Sequence, residues 1–103
     1  MSPPRRFKRV YRSLARIGFD PNKSEEILAE RGFDLGYISR KFPCWVLERE
    51  DTRGYDETRY QAIGELLGTV YRIVYTRSGR TCRLITAWEG DPEDRIRWYE
   101  STR

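Results

Sequence analysis

Histidine is absent from this 103-residue sequence, and lysine and cysteine are scarce. Without histidine, the acid–base mechanisms of His-dependent ribonucleases and all His-ligated metal sites are excluded. None of the lysines at positions 8, 23 and 41 follows an acidic residue by two positions, so the acid-x-Lys signature of restriction-type metal nucleases is missing. Cys44 and Cys82 stand alone in apolar surroundings, which favours buried thiols in a reducing compartment over a metal site.

Long apolar runs are missing as well. No stretch approaches the roughly 20 residues that span a bilayer, and the first residues lack the apolar core of a signal peptide. Neither a Gly-rich phosphate loop nor a Ser-centred nucleophile elbow occurs. We therefore expect a cytoplasmic protein with no cofactor and no membrane contact, in which any catalysis uses Arg, Lys, Tyr, Glu or Asp side chains.

The basic charge is concentrated in the N-terminal segment. Residues 1–18 hold six basic residues and no acid, which leaves 14 of the 20 basic residues to balance all 16 acidic ones. We assign residues 1–14 to a basic arm and residues 15–103 to a single domain. The arm can contact nucleic acid or an acidic protein, or it can be a solvated tail. Val10, Leu14 and Ile17 recur at helical intervals, which indicates an amphipathic helix in part of this segment.

The rest of the chain predicts an α+β domain with a four-stranded antiparallel sheet, two N-terminal helices and one C-terminal helix. Asp20-Pro21 and Gly32 are typical of a helix start and end. Apolar residues make up 38% of the chain and include three Trp, seven Tyr and four Phe, enough for one modest core. The predicted elements are a short strand over 15–20, helices over 21–31 and 35–42, strands over 45–50 and 58–66, a hairpin over 69–88, and a helix from Asp91-Pro92.

The hairpin is the most informative stretch, because arginine interrupts both of its apolar strands. With a turn over residues 77–80, Thr76 is expected to face Thr81 and Val74 to face Arg83, provided that no bulge shifts the register. Side chains alternate across a strand, so Arg72 and Arg83 then share one face of the sheet, with Arg77 and Arg80 at the tip. Buried arginine is rare without a partner. This face is therefore expected to meet water, an acidic helix or a phosphate.

The order and residues of these elements resemble the BrnT toxins of type II toxin–antitoxin pairs, a family within the RelE-like ribonuclease fold. The similarity covers roughly residues 17–100. The matching elements are Phe19-Asp20-Pro21-Asn22-Lys23, Arg31-Gly32, Phe42, Glu57-Thr58-Arg59, Gly64, Val74-Tyr75-Thr76 with Gly79, Arg83-Leu84-Ile85-Thr86, Arg97 and Tyr99-Glu100. The chain departs from the family pattern in three places: at Ile27 and Glu30-Arg31 in the first helix, at Trp88, where the family usually has a second Arg, and at Glu89-Gly90-Asp91, which replaces a basic turn.

The resemblance implies a toxin that cleaves RNA and is neutralised by a separate antitoxin protein. RNA supplies its own nucleophile, the 2′-hydroxyl, so such cleavage needs no metal. The expected phosphate and transition-state groups are Arg83, Arg59 and Arg77, because the planar guanidinium binds phosphate oxygens through two bonds. Glu57 is the expected base. The expected substrate-binding residues are Lys23, Arg72, Arg80, Tyr75 and Tyr99, with a tyrosine as proton donor or stacking platform.

A second class of function stays open at this point. A non-catalytic member of the same fold could bind RNA, DNA or a protein through the basic arm and the arginine face, and Trp88 with the acidic residues after it favours this alternative. A lone strand arginine can also pair with a helix carboxylate such as Glu25 or Glu93.

Overall fold

A computed structural model describes residues 6–11, 14–51 and 57–102. These residues form six strands and three helices. In chain order they are β1 (Lys8–Tyr11), β2 (Arg16–Phe19), α1 (Pro21–Arg31), α2 (Leu35–Arg40), β3 (Trp45–Asp51), β4 (Arg59–Leu66), β5 (Thr69–Ser78), β6 (Thr81–Glu89) and α3 (Pro92–Ser101).

The strands form one mixed sheet in the order β1-β3-β4-β5-β6-β2. The α+β class is confirmed, but the prediction of four antiparallel strands is wrong. Two short edge strands extend the sheet, and β2 runs parallel to β6 whereas β1 runs antiparallel to β3. The amphipathic helix expected around Val10 and Ile17 is also wrong, because these residues lie in β1 and β2. Their side chains still pack on the core, so the apolar spacing reflected burial and not helix.

The two edge strands come from one short segment, which requires the sheet to curve. Five Cα–Cα steps separate the end of β1 from the start of β2, and such a connection reaches at most about 17 Å. In a flat sheet, the outermost of six strands would lie about 24 Å apart at the usual strand spacing. Tyr11 lies opposite Trp45 and Arg16 lies opposite Thr81, at opposite ends of the strands, so the sheet must twist and curve to bring these two corners within reach.

The helices begin where the sequence predicts and α1 also ends there, whereas α2 ends at Arg40, two residues before its predicted end. The Asp20 side chain accepts a hydrogen bond from the Asn22 backbone N–H at 2.9 Å, and Gly32 ends α1 with a φ of 82°. The left-handed conformation at Gly32 is one that glycine adopts at no steric cost. Asp34 caps α2 by accepting from the Tyr37 N–H at 2.8 Å. At α3, Asp91 and Asp94 form a capping box, in which the side chain of each residue accepts a hydrogen bond from the backbone N–H of the other.

The hairpin register differs from the predicted one. The turn is Gly79-Arg80, with Gly79 at a φ of 58°, so Ser78 pairs with Thr81 and Thr76 pairs with Arg83. The strands are thus longer than expected, and the register shifts between Val74 and Tyr75, which leaves residue 85 unpaired as a bulge. Because Thr76 and residue 72 point the same way along β5, the prediction that Arg72 and Arg83 share a face holds.

Helices cover both faces of the sheet. The helix-pair face packs on α1 and α2, and the α3 face packs on α3. The core on the helix-pair face includes Ile27, Leu35, Ile38, Val46, Ala62, Ile73, Tyr75, Cys82, Leu84 and Ala87. The smaller core on the α3 face consists of Leu47, Ile63, Val70 and Trp98, and Trp45 stacks on Trp98 at 4.3 Å.

The two cysteines differ in exposure. Cys82 is buried as predicted, whereas Cys44 is exposed, so the expectation of two buried thiols is wrong for Cys44. Cys44 lies in the bend between Pro43 and β3, before the strand enters the core. In the same core, burial and the neighbouring Tyr37 and Glu89 raise the pKa of the Tyr71 phenol, which keeps this ring neutral at ordinary pH.

Candidate active site

An open cleft lies at the end of the sheet where β4 begins and the β5–β6 hairpin turns. Its volume is about 330 Å³. The lining residues are Glu57, Thr58, Tyr60, Thr76, Arg77, Ser78, Thr81 and Arg83. Three of the four residues predicted to be catalytic, Glu57, Arg77 and Arg83, therefore meet at one cavity. Residues that come from three separate strand ends are brought together here by the hairpin.

Arg83 is exposed in the middle of the β6–β2 ladder. It pairs with Thr76 of β5 on one side and with Gly18 of β2 on the other. Because Gly18 has no side chain, the surface beside Arg83 stays low, and a second cavity of about 440 Å³ opens there along β2. The Arg83 guanidinium thus borders two open spaces, and none of the hydrogen bonds or ion pairs of the described residues engages it.

Arg77 is held rigidly, in contrast to Arg83. One Nη donates to Glu48 Oε1 at 3.1 Å, and the guanidinium carbon lies 4.0 Å from the centroid of the Tyr60 ring. Glu48 is buried and also accepts a short hydrogen bond from the Tyr75 hydroxyl. The Nε of Arg77 is buried and donates to no described group. A carboxylate, an aromatic ring and a phenol therefore fix the direction of this guanidinium.

Glu57 and Arg59 flank the cleft in different ways. Glu57 is exposed at its mouth, directly before β4. Arg59 is half-buried at the start of β4 and pairs across the strands with Asp51. Since side chains alternate, Arg59 points to the α3 face together with Gln61, and it is not among the residues that line the cleft.

The predicted substrate-binding residues are scattered. Arg72 forms an ion pair with Asp94 at 2.6 Å, and both side chains are buried. Lys23 lies in the first turn of α1, 3.7 Å from Glu26, and is not among the residues that line the cleft. Arg80 lies in the hairpin turn, beside the cleft, and its carbonyl accepts from the Ala15 N–H at 2.8 Å. Of the two tyrosines, Tyr75 is buried beneath Arg77 and Tyr99 is exposed on α3.

Sequence reasoning missed two residues that shape the cleft, Glu48 and Tyr60. Glu48 follows Val46 by two residues in β3, so both side chains lie on the buried helix-pair face. A carboxylate on an apolar face requires a charged or hydrogen-bonding partner, and this was the available signal. The identity of that partner depends on a pairing between chain positions 29 residues apart, which no local pattern reveals.

The positions that depart from the family pattern lie away from the cleft. Ile27 is fully buried in the main core. Arg31 donates to the Ala87 carbonyl at 3.2 Å and so ties the end of α1 to β6. Trp88 is half-buried and pairs with Arg72 near the far end of the hairpin from its turn. These substitutions therefore leave the cleft residues in place.

The described residues offer few alternatives to arginine chemistry. Within ranges 6–11, 14–51 and 57–102, no three His, Cys, Asp or Glu side chains are grouped so as to hold a metal ion. In the same ranges no helix is long and apolar enough to cross a membrane. The groups available in the cleft are two guanidiniums, one carboxylate, one phenol and several hydroxyls.

Comparison with known families identifies one match. Residues 19–93 match the sequence model of a family described as the ribonuclease toxin BrnT of type II toxin–antitoxin systems. The matched range runs from the end of β2 into α3 and contains every residue that lines the cleft. No curated protein matches the chain.

Proposed function

Because the chain belongs to the BrnT family of ribonuclease toxins from type II toxin–antitoxin systems, we propose that it cleaves RNA in the cleft at the hairpin end without a metal ion. The observation that carries this proposal is the pair of guanidiniums at one cavity, Arg77 held rigidly and Arg83 open to solvent. A rigid cation beside an accessible one suits a phosphate whose charge grows during reaction.

The reaction uses the substrate's own nucleophile. The 2′-hydroxyl of one nucleotide attacks the adjacent phosphorus, and its proton passes to a base. The bond from phosphorus to the 5′-oxygen of the next nucleotide breaks, and that oxygen takes up a proton. The products are a 2′,3′-cyclic phosphate and a 5′-hydroxyl, so neither water nor an oxidant enters this step.

The cleft residues divide these tasks. Arg83 and Arg77 bind the non-bridging oxygens and stabilise the pentavalent phosphorane. Glu57, exposed at the mouth of the cleft, takes the proton from the 2′-hydroxyl. Tyr60 lines the cleft and takes the place of Tyr75 and Tyr99 as the tyrosine that supplies a proton or stacks on a base.

A protein partner follows from the family as well. Type II toxins are controlled by an antitoxin protein, and the family of this chain is of that type. We propose that the antitoxin blocks the cleft, because a covered Arg83 cannot reach RNA. An acidic or aromatic segment of the antitoxin would match the two guanidiniums that line this cavity.

The test is cleavage of end-labelled RNA in excess EDTA by the native protein and by Arg83→Ala. We expect the native protein to leave cyclic phosphate ends and the variant to be about 10²–10³-fold slower, the usual cost of one charge-stabilising group. Arg40→Ala is the matched control, because Arg40 is an exposed arginine of α2 on the helix-pair face.

Three results would contradict the proposal. Full activity of Arg83→Ala would exclude this arginine, and loss of cleavage in EDTA would exclude the metal-free route. Salt-sensitive binding of RNA by the native protein without any cleavage would instead support the non-catalytic alternative.

A further inference from the structure

Another cavity, which has a basic lining, lies on the α3 face, apart from both the cleft and the cavity along β2. Its volume is about 530 Å³, which exceeds that of the cleft. The lining residues are Arg6, Phe7, Leu47, Arg49, Arg97, Glu100 and Ser101. Three arginines thus border it against a single carboxylate. The family match begins at residue 19, so the part of this lining that precedes β1 lies outside the matched range.

The arginines converge on one aromatic ring. The guanidinium carbons of Arg49, Arg72 and Arg97 lie 4.2, 5.0 and 5.6 Å from the centroid of Phe7. A phenyl ring attracts a cation over its face. Phe7 therefore holds three like charges close together at the rim of the cavity, which is unfavourable unless anions are nearby.

The acids near this cluster neutralise it only in part. Arg72 is satisfied by Asp94, to which it donates two hydrogen bonds at 2.6 and 3.3 Å. Arg97 is exposed and lies 4.0 Å from the same carboxylate and 4.0 Å from Glu93, which is exposed too. Arg49 donates to the neutral amide oxygen of Gln61 at 3.1 Å. Burial, and then the charges of Arg72 and Arg97, lower the pKa of Arg49, and the carboxylates of Asp51 and Asp94 oppose this shift.

The cavity and the Arg83 side of the cleft lie on the α3 face of the sheet, whereas Arg77 points to the helix-pair face. Arg49 pairs with Gln61, which pairs with Val74, and Arg83 pairs with Thr76 two residues further along β5. Arg49 and Arg83 consequently point the same way. With strands about 4.8 Å apart and residues about 3.3 Å apart along each strand, their Cα atoms are separated by roughly 15 Å.

We propose that the cavity formed by Phe7, Arg49 and Arg97 binds a second phosphate of the same RNA strand, a few nucleotides from the phosphate in the cleft. This inference rests on the proposed ribonuclease function and extends its substrate from one linkage to a segment of several nucleotides. Arg59 and Gln61 lie between the two sites on the α3 face, so the path of the strand carries a further cation. Guanidinium groups bind phosphate through paired hydrogen bonds.

The experiment measures binding of RNAs of two lengths in which every sugar carries a 2′-O-methyl group, because the blocked hydroxyl prevents cleavage. A dinucleotide reaches only the cleft, whereas an octanucleotide reaches both sites. For Arg49→Gln and for Arg97→Gln, we expect octanucleotide affinity to fall about tenfold, the usual effect of losing one charged hydrogen bond. The slope of log K against log salt should shrink by about 0.7 in magnitude, and dinucleotide affinity should not change.

Arg40→Gln removes the same charge on the helix-pair face and should leave both affinities near the native values. Arg97 is exposed on α3, so Arg97→Gln is expected to fold even if the half-buried Arg49 proves essential for stability. The second site would be overturned if Arg49→Gln and Arg97→Gln weakened binding of both RNAs equally. It would also be overturned if these variants bound the octanucleotide as tightly as Arg40→Gln does. Tighter competition by an oligoglutamate peptide than by RNA would overturn it in favour of a protein ligand. If the native protein bound neither RNA, the proposed function itself would fail.

Discussion

Two arginines of β5 form ion pairs with buried carboxylates on opposite faces of the same sheet. On the α3 face, Arg72 meets Asp94, with side chains 11% and 1% exposed. On the helix-pair face, Arg77 meets Glu48, with side chains 26% and 5% exposed. Both pairs join distant parts of the chain, but only Arg77 borders the cleft.

The difference lies in what remains available after the pair has formed. Arg72 donates three hydrogen bonds to Asp94 and Gln61, so it anchors α3 to the sheet. Arg77 donates one hydrogen bond to Glu48, rests on Tyr60, and still borders the open cleft. The role of an arginine on an apolar strand therefore depends on its partners: the first pair ties α3 to the sheet, and the second holds a cation at the edge of an open cleft.

The largest expected effect is on stability, at the Arg72–Asp94 pair. In Arg72→Ala, Asp94 stays buried without its principal partner, so we expect the free energy of unfolding to fall by about 3 kcal/mol or more. Urea denaturation at neutral pH measures this change. Arg97→Ala is the matched control, because Arg97 lies 4.0 Å from the same carboxylate and is exposed; its effect should be small.

A double variant sharpens this result. Arg72→Met combined with Asp94→Leu removes both charges and should recover part of the lost stability, since no unpaired carboxylate is left in the interior. If the double variant were as unstable as Arg72→Ala, the loss would come from packing or from the cap that Asp94 also provides for α3, and not from an unpaired charge.

The next effect is on cleavage, at the Arg77–Glu48 pair, which borders the cleft. Arg77→Ala should slow single-turnover cleavage about 10²–10³-fold. Arg77→Lys should restore only a part, because an ammonium keeps the charge but lacks the planar fork that stacks on Tyr60 and binds phosphate. A rate for Arg77→Lys equal to the native rate would show that charge alone suffices and that the geometry imposed by Glu48 is irrelevant.

A smaller effect is expected at the Tyr75 hydroxyl, which donates to Glu48. Tyr75→Phe removes a donor from buried Glu48 and should lower the free energy of unfolding by about 1–3 kcal/mol, the range for a hydrogen bond to a charged group. Glu48 keeps its bond to Arg77, so cleavage should fall much less than in Arg77→Ala. Thermal unfolding and single-turnover rates measured on the same sample would separate the two effects, and a cleavage loss as large as that of Arg77→Ala would contradict this separation.

The smallest expected effect is at the cap of α3. Asp91→Ala breaks the capping box and should cost about 1 kcal/mol of stability. Since α3 is anchored through Arg72 and not through Arg77, cleavage of a dinucleotide linkage in the cleft should be unaffected. A decrease in that rate would mean that the two faces of the sheet are coupled.

Local sequence patterns predicted most of the elements. The caps at Asp20, Asp34 and Asp91 and the alternation in β3–β6 each depend on neighbours within a few residues, and these predictions are confirmed. Of the two edge strands, β2 falls within the strand predicted over 15–20, but its place at the edge of the sheet was not predicted. Strand β1 was missed because four residues carry little periodicity and their partners lie far along the chain. The hairpin register was missed because the turn falls on Gly79-Arg80, which shifts the pairing by two residues, and a bulge then shifts it by one more.

The candidate site was predictable to a similar depth. Arg77 and Arg83 could be placed together, because a hairpin relates them by a short turn. Glu48 could not be connected with Arg77, since that contact depends on the stacking order of three strands. The cluster at Phe7 was likewise inaccessible, because β1 was not predicted as a strand.

The edge strands have a consequence for the order in which the molecule can be built. Lys8 pairs with Glu48, whereas Ile17 must wait for Cys82, so the sheet has high contact order and is expected to fold slowly. During synthesis, β2 emerges early and remains without its partner until β6 has been made. Arg83 lies on that same late strand. The proposed cleft therefore assembles only after β6 has been synthesised, so a nascent chain that lacks β6 cannot form it.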